Sequence, residues 1–423
     1  MEKFFKFVKS SPTAYHTVKS VKEALISNGY TEISERDTGA FSDGKAHFVV
    51  RSDSSLIAFR GSGRRGFMIC ASHSDAPSFK VKNLAEKRGD YARLSVEKYG
   101  GMINYSWLDR PLSLAGRVAV ATECGVDTHL VNIDRDLLVI PSVAIHLNRE
   151  LNEGYKFNPA KDLLPLFGDG EGGARLLSLL GEAAGVSEEK IICADLYLYN
   201  RDEPRRIGGA GEYILSPRVD DLSCVYSSLT AFLSSTESEA VPVLAVFDSE
   251  EVGSATRQGA DSSFLESVLC KIAGGLVEYD AMLAESLMVS ADVAHAKHPN
   301  LPELSDSEWA PLLGKGVVIK HNAQKRYTTD ALSEALFKII ANRAGVPTQN
   351  YANRADIPGG STLGAISASQ VPVLSLDVGI PQLAMHSASE TMAVKDLGYM
   401  TEVLREFFSS YLLEKDGGFD ILK

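Results

Sequence analysis

The residues able to do chemistry in this chain stand just beyond apolar runs. His73 and Asp75 follow Phe67 to Ala71, and Asp248, Glu250 and Glu251 follow Val243 to Phe247. Asp292 and His295 follow Leu287 to Ser290, while Asp377 and, nine residues on, His386 follow Val371 to Leu376. A fifth group, Asp220 with Asp221, precedes a helical pattern that starts at Leu222. In open α/β sheets ligands bind at the carboxyl ends of strands, so groups this far apart in sequence can share one pocket. Carboxylates gathered in low dielectric are costly unless cations neutralise them, and imidazole with carboxylate suits zinc or a similar divalent ion. The inventory supplies a bridging carboxylate and terminal ligands for two ions about 3.5 to 4 Å apart. Glu250 and Glu251, adjacent on a turn, can point in different directions, so one can bind metal while the other stays a base. Taken singly, each residue has a plainer role: helix caps for Asp220 and Asp221, solvated loop acids for Glu250 and Glu251, structural histidines for His73 and His386. That four strand ends carry such groups together favours the metal centre.

The elements that must position these residues are readable from periodicity. Helical spacing predicts helices over Thr13 to Gly29, Asp221 to Ser234, a segment capped by Asp330, and Leu397 to Tyr411. The four continuous apolar runs read as strands covered on both faces. Between them lies a β-rich stretch with short runs at Tyr91 to Val96, Leu112 to Ala121 and Leu137 to Ala144. The expected fold is therefore α/β, a mixed, mostly parallel sheet flanked by helices, with an inserted β-rich domain. The boundaries read as 1–82 and 217–423 for the body and 83–216 for the insertion. Two glycine patterns compete with this picture. Gly61, Gly63 and Gly66 have the G-x-G-x-x-G spacing but lead into a strand rather than a helix, so they read as a hairpin turn. Gly168, Gly170 and Gly173 precede a helical run from Ala174 to Leu180, but Asp169 and Glu171 would face a pyrophosphate and Pro165 interrupts the lead-in, which favours a surface loop.

At 423 residues the chain has room for two or three domains. Forty-three Lys and Arg against 55 Asp and Glu leave a net charge of -12, which disfavours nucleic acid or an anionic membrane as partner. Five scattered cysteines, Cys70, Cys124, Cys193, Cys224 and Cys270, give neither a disulfide framework nor a zinc-finger spacing and suit a reducing cytoplasm. Met1 to Lys9 lacks an apolar signal core, and no apolar run reaches the ~18 residues of a membrane span, so neither secretion nor membrane insertion is expected.

Five ordered segments, Ser72 to Pro77, Ser216 to Leu222, Asp248 to Ser254, Ser290 to His295 and Pro381 to Ser387, resemble the aspartyl aminopeptidase family of di-zinc metallopeptidases along nearly the whole chain. The resemblance implies a zinc-exopeptidase-like fold and two Zn2+ per chain. It puts His73, Asp220 and Asp292 on one ion, and Glu251, His386 and the shared Asp220 on the other. It makes Glu250 the general base and Asp75 the carboxylate orienting His73. Lys320, in Val318-Ile319-Lys320, would face the acidic side chain of the substrate's first residue, with the sequence around Tyr327 also lining the pocket and His295 a further substrate-binding residue. His146 is similar to a histidine that reaches a neighbouring subunit's site and stabilises the oxyanion. The insertion is implied to be a dimerisation domain, and the assembly a tetrahedral homododecamer built from dimers. Asp221 replaces an Asn often found after the bridging Asp, and the Gly168 to Gly173 segment is unusually acidic and glycine-rich for the family. The competing readings are a related amidohydrolase, a deacylase or carboxypeptidase, using the same ligands, and a catalytically silent shell-forming protein.

Overall fold

The computed structural model describes residues 1–423 apart from Thr38, Ser62, Arg64, Glu171, Gly172, Ala174 and Ser361. The chain divides into two compact units, one of Met1–Asp75, Arg205–Met385 and Glu390–Lys423, the other of Ala76–Pro204 with His386–Ser389.

The first unit is organised by nine strands: β1 Thr31–Glu32, β2 His47–Arg51, β3 Ser55–Phe59, β4 Phe67–His73, β5 Val241–Phe247, β6 Leu287–Ala291, β7 Val317–His321, β8 Thr348–Ala352 and β9 Leu374–Gly379. They lie in the order β1-β2-β3-β5-β4-β6-β9-β7-β8. The four central strands β5, β4, β6 and β9 run parallel, and β3 and β7 flank them antiparallel. Every residue of β4, β5 and β6 is buried, which explains why their apolar runs are unbroken. Along β5, Leu244 and Val246 face one core and Val243, Ala245 and Phe247 the other, as the two-residue strand period requires. The first core is closed by the helices Val219–Ser234, Ala331–Arg343 and Val394–Phe408 through Phe232, Phe337, Leu404 and Phe407. The second is closed by Phe264–Ala273 and Leu363–Gln370 through Phe264, Leu265, Val268 and Leu363. Each such buried side chain contributes roughly 1.5–3 kcal/mol. Asp330 caps its helix through a reciprocal pair with Ser333, a device that contributes about 1 kcal/mol.

Because the central strands are parallel, their carboxyl ends share one edge of the sheet. Phe247 lies beside His73, and Ser290 lies beside both Ala71 and Asp377. Asp248, His73 and Asp292 are thereby carried to the same edge.

The structure corrects several details. β3 and β4 are not a hairpin, because β5 lies between them. The intervening glycines serve close approach instead: a Cβ at Gly63 would stand 2.2 Å from the Glu239 carbonyl oxygen, and one at Gly66, where φ is +91, 2.4 Å from that of Glu285. Strand β9 begins later than expected because Val371 still ends the helix Leu363–Gln370. The last helix starts at Val394 and stops at Phe408, since Tyr411 opens a terminal hairpin.

The second unit holds a five-stranded antiparallel sheet in the order Val96–Tyr99, Ser78–Val81, Ile191–Asn200, Leu112–Ala121, Val126–Asn132. It has its own core, including Phe79, Trp107, Leu114, Leu196 and Leu198. The insertion boundaries differ from 83–216 for a pairing reason. Ser78–Val81 bonds to the strands around Lys98 and Tyr197, whereas Arg205–Ile207 and Tyr213–Ser216 pair in the first unit with each other and with Glu390–Ala393. Leu137 to Ala144 forms only isolated bridges. Of the second glycine pattern, Leu166–Asp169 is a short strand against Tyr91–Arg93 and the helix begins at Leu176. Glu171, Gly172 and Ala174 lie outside the described residues.

Candidate metal centre

His73 ends β4 and is 1% exposed. Its Nδ1–H donates to the Asp75 carbonyl at 3.1 Å, so that in the neutral ring the lone pair lies on Nε2. That Nε2 lies 3.2 Å from Asp220 Oδ1 and 3.6 Å from Asp292 Oδ1. Asp220 and Asp221 precede the regular turns of their helix, with φ/ψ of -78/110 and -115/22, so their side chains leave the helix axis. One ligand atom from each of His73, Asp220, Asp221 and Asp292 lies within 4.8 Å of every other, and the same holds for His73, Glu250 and Glu251.

The Asp75 carboxylate lies between the imidazole and the glutamate turn. Its Oδ1 is 3.4 Å from His73 Nδ1, and its two oxygens accept the peptide N–H groups of Glu250 and Glu251, each at 3.2 Å. One buried carboxylate thus links the imidazole to the glutamate turn. Two further acids bond to the cluster, and of these only Glu390 escaped the sequence reading. Asp221 Oδ2 accepts the His73 peptide N–H at 3.2 Å, and Glu390 Oε2 accepts that of Asp220 at 3.0 Å. Glu390, 2% exposed, could have been suspected as an acid opening the short strand Glu390–Ala393 just after His386.

The electrostatics report an excess of negative charge. Burial, opposed by His73 and reinforced by Asp292, Asp75 and Asp220, pushes the Glu250 carboxyl up to about 8. Burial also holds Asp221 well above the usual carboxylate range. His73 is raised despite its burial, because Asp221, Asp220, Asp292 and Asp75 surround it. Asp292 goes the other way: burial works against it, but Lys320 and then His73 hold it low. An imidazole among this many carboxylates, with Nε2 facing two of them, is a donor set that fits zinc.

Lys320 is 2% exposed, and its ammonium donates to Asp292 Oδ2 at 2.9 Å. It lies 5.5 Å from the centre of the buried Tyr327 ring. The cation expected to meet a substrate is therefore paired within the protein. His295 is exposed on the short strand Ala294–His295, its ring 6.1 Å from that of Tyr351. In the second unit, His386 Nδ1–H donates to the Gly101 carbonyl at 3.1 Å, and His146 is exposed on a segment, 141–147, that is exposed throughout.

Residues 7–408 match the family described as Aminopeptidase I zinc metalloprotease (M18). The chain belongs to the M18 family. The Probable M18 family aminopeptidase 2 of Clostridium acetobutylicum is 41% identical over 424 residues, covering 96% of this M18 chain and 98% of its own length. Aspartyl aminopeptidase 1 of Schizosaccharomyces pombe is 37% identical over 445 residues, covering 96% and 94%. Among solved structures, the S. cerevisiae mApe1 dodecamer superposes with a TM-score of 0.84 at 27% identity over 96% of this chain and 95% of that one. The M18 chain is thus a zinc metallo-aminopeptidase with the mixed α/β fold of that family. Among the described residues no helix is long and apolar enough to cross a membrane.

Proposed function

We propose that this aminopeptidase releases an amino-terminal Asp or Glu from peptides with two zinc ions per chain. The observation that carries the reading is the convergence of His73, Asp220, Asp221 and Asp292 beside Glu250 and Glu251. In this reading His73, Asp220 and Asp292 hold one ion, while Glu251, His386 and the shared Asp220 hold the other. The tautomer of His386, with Nδ1–H donating to Gly101, supports ligation through Nε2.

Zinc, when bound, supplies Lewis acidity that acidifies water and polarises a carbonyl. Glu250 takes the proton of the attacking water and passes it to the departing amine. Asp75 fixes that base by holding its peptide N–H and that of Glu251. Lys320 keeps a fixed positive charge beside Asp292 and draws an acidic first side chain, with Tyr327 and His295 as further substrate-binding residues. The partner subunit's His146 donates to the oxyanion. The name of the S. pombe relative supports the acidic preference.

Self-association belongs to the same proposal: dimers made through the β-rich unit, assembled into a tetrahedral dodecamer. It is supported by the mApe1 dodecamer and by Val143, Ile145 and Leu147, which are 50%, 44% and 82% exposed. Five free thiols suit a cytoplasmic setting.

Zinc analysis with a panel of aminoacyl chromogenic substrates and N-acyl amino acids tests the reading. Two zinc ions per chain, turnover of Asp and Glu substrates, and a Lys320→Ala variant whose Asp-to-Leu selectivity drops about tenfold are expected. Activity confined to N-acyl amino acids would mark a deacylase, and an unchanged selectivity in Lys320→Ala would remove the acidic preference.

A further inference from the structure

Asp377, like Asp248, is a strand-end acid that the candidate metal centre does not use. It lies level with Ser290, two residues short of Asp292, and among the described residues no cluster of metal-ligating atoms includes it. Yet it is 0% exposed in the middle of the sheet, where an acid is costly unless its oxygens are bonded. Those bonds reach two separate segments. Oδ2 accepts the peptide N–H of Thr328 at 2.6 Å and its hydroxyl at 2.9 Å. Oδ1 accepts the hydroxyl of Thr362, the residue that opens the helix Leu363–Gln370. The peptide N–H of Asp377 donates to the Thr329 hydroxyl at 3.0 Å. A Cβ at position 364 would stand 2.3 Å from Oδ1, so the helix approaches the carboxylate only because Gly364 has no side chain.

The segments tied in this way carry the substrate side of the proposed site. Thr328 directly follows Tyr327, and Lys320 lies opposite Asp377 across the β7–β9 pair. Burial opposes the Lys320 charge, but Asp292, then Tyr327 and Asp377, keep it above its ordinary range.

We propose that Asp377 is a positioning residue for substrate: its carboxylate clamps the turn after Tyr327 to the start of the helix Leu363–Gln370, and so fixes the wall that receives the first side chain of the peptide. The inference rests on the aminopeptidase reading. It assigns Asp377 to binding rather than to chemistry, because its bonds go to the wall and not to the metal ligands or Glu250.

The test measures KM, kcat and zinc content for Asp377→Ala, Asp377→Asn and Thr362→Val, using whichever aminoacyl chromogenic substrate the wild type cleaves best. Asp377→Ala should raise KM about tenfold or more, leaving kcat within about threefold and zinc content equal to wild type. Asp377→Asn keeps an acceptor for Thr328 and offers an N–H to the Thr362 hydroxyl, so it should return KM to within about threefold of wild type. Thr362→Val removes one hydroxyl without changing shape and should raise KM a few fold. It also keeps the proposal testable should Asp377→Ala not fold. Unmoved KM in Thr362→Val and in any folded Asp377→Ala overturns the proposal, as does an Asn variant no better than Ala, or zinc loss in any of the three. A wild type that releases no amino-terminal residue removes the aminopeptidase reading and this inference with it, a result distinct from wild-type turnover with an unmoved KM.

Discussion

Replacing Asp75 by Asn separates holding the metal from holding the base. The two Asp75 oxygens each accept one peptide N–H, from Glu250 and from Glu251, both at 3.2 Å. An amide has one oxygen, so whichever way the substituted side chain is turned, its NH2 group faces one of those N–H donors. One charge-assisted bond, worth about 1.5–3 kcal/mol, is lost, and a sheltered N–H is left facing another donor. The bond from His73 Nδ1 to the backbone carbonyl of residue 75 is not touched. Damage should therefore fall more on the glutamate turn than on the imidazole. A displacement costing roughly 2–3 kcal/mol corresponds to about 30- to 150-fold in rate. Zinc affinity, measured by chelator competition, should weaken about 10- to 100-fold. At saturating zinc the affinity loss is masked, and kcat should remain depressed because Glu250 is still misplaced. A folded Asp75→Asn enzyme whose kcat and zinc affinity both match wild type within about twofold would refute this account of the carboxylate.

Other outcomes follow from the same geometry. Glu250→Gln should keep its zinc, read by metal analysis, while kcat falls about 10²- to 10⁴-fold, and near-normal turnover would remove Glu250 as the base. His16 is lowered to about 4 by burial, then by Lys19 and Arg218, with Nδ1 2.8 Å from Thr13 Oγ1. It is neutral in the folded chain but binds a proton near 6.5 when unfolded. Its titration therefore contributes nothing well above pH 6.5 and destabilises the fold as pH falls toward 4, by about 2 kcal/mol at pH 5. His16→Gln should flatten the urea-denaturation profile between pH 7.5 and 5 relative to wild type, and parallel profiles would count against a neutral buried imidazole. Leu147→Asp should shift the particle mass seen by light scattering toward smaller species, and an unchanged mass would exclude the exposed 141–147 segment from assembly.

The residues of the candidate site were legible because chemistry concentrates where apolar runs stop: His73 ends a buried strand, and Asp292 and the Glu250–Glu251 pair follow one. Their supports were less visible. That Asp75 would reach the peptide groups of Glu250 and Glu251, or Glu390 that of Asp220, depends on how distant strands register, which no local pattern encodes. The pairing of Lys320 with Asp292 is of the same kind, since spacing gives a lysine near the end of a strand but not the acid across the sheet. The supposed hairpin between β3 and β4 failed for this reason too. Its two strands and glycine turn look self-sufficient, and the strand that separates them lies far along the chain. Asp377 carried the right signal, an acid in a buried strand, but its partners Thr328 and Thr362 were unremarkable hydroxyls whose value appears only when they meet.

The chain leaves the first unit after Asp75 and returns to it at Arg205. His73 therefore emerges from the ribosome long before Asp220, Glu250 or Asp292, and β4 must wait for its neighbour β5 while a whole other unit is made. The intervening stretch, closed by its own antiparallel pairings and core, can condense during that interval. Strand pairing across such a gap is slow, so the cluster around His73 is completed late in biogenesis, once translation has passed β6. Until then His73 has only part of the carboxylate set that surrounds it in the folded chain, since Asp292 is still to be made.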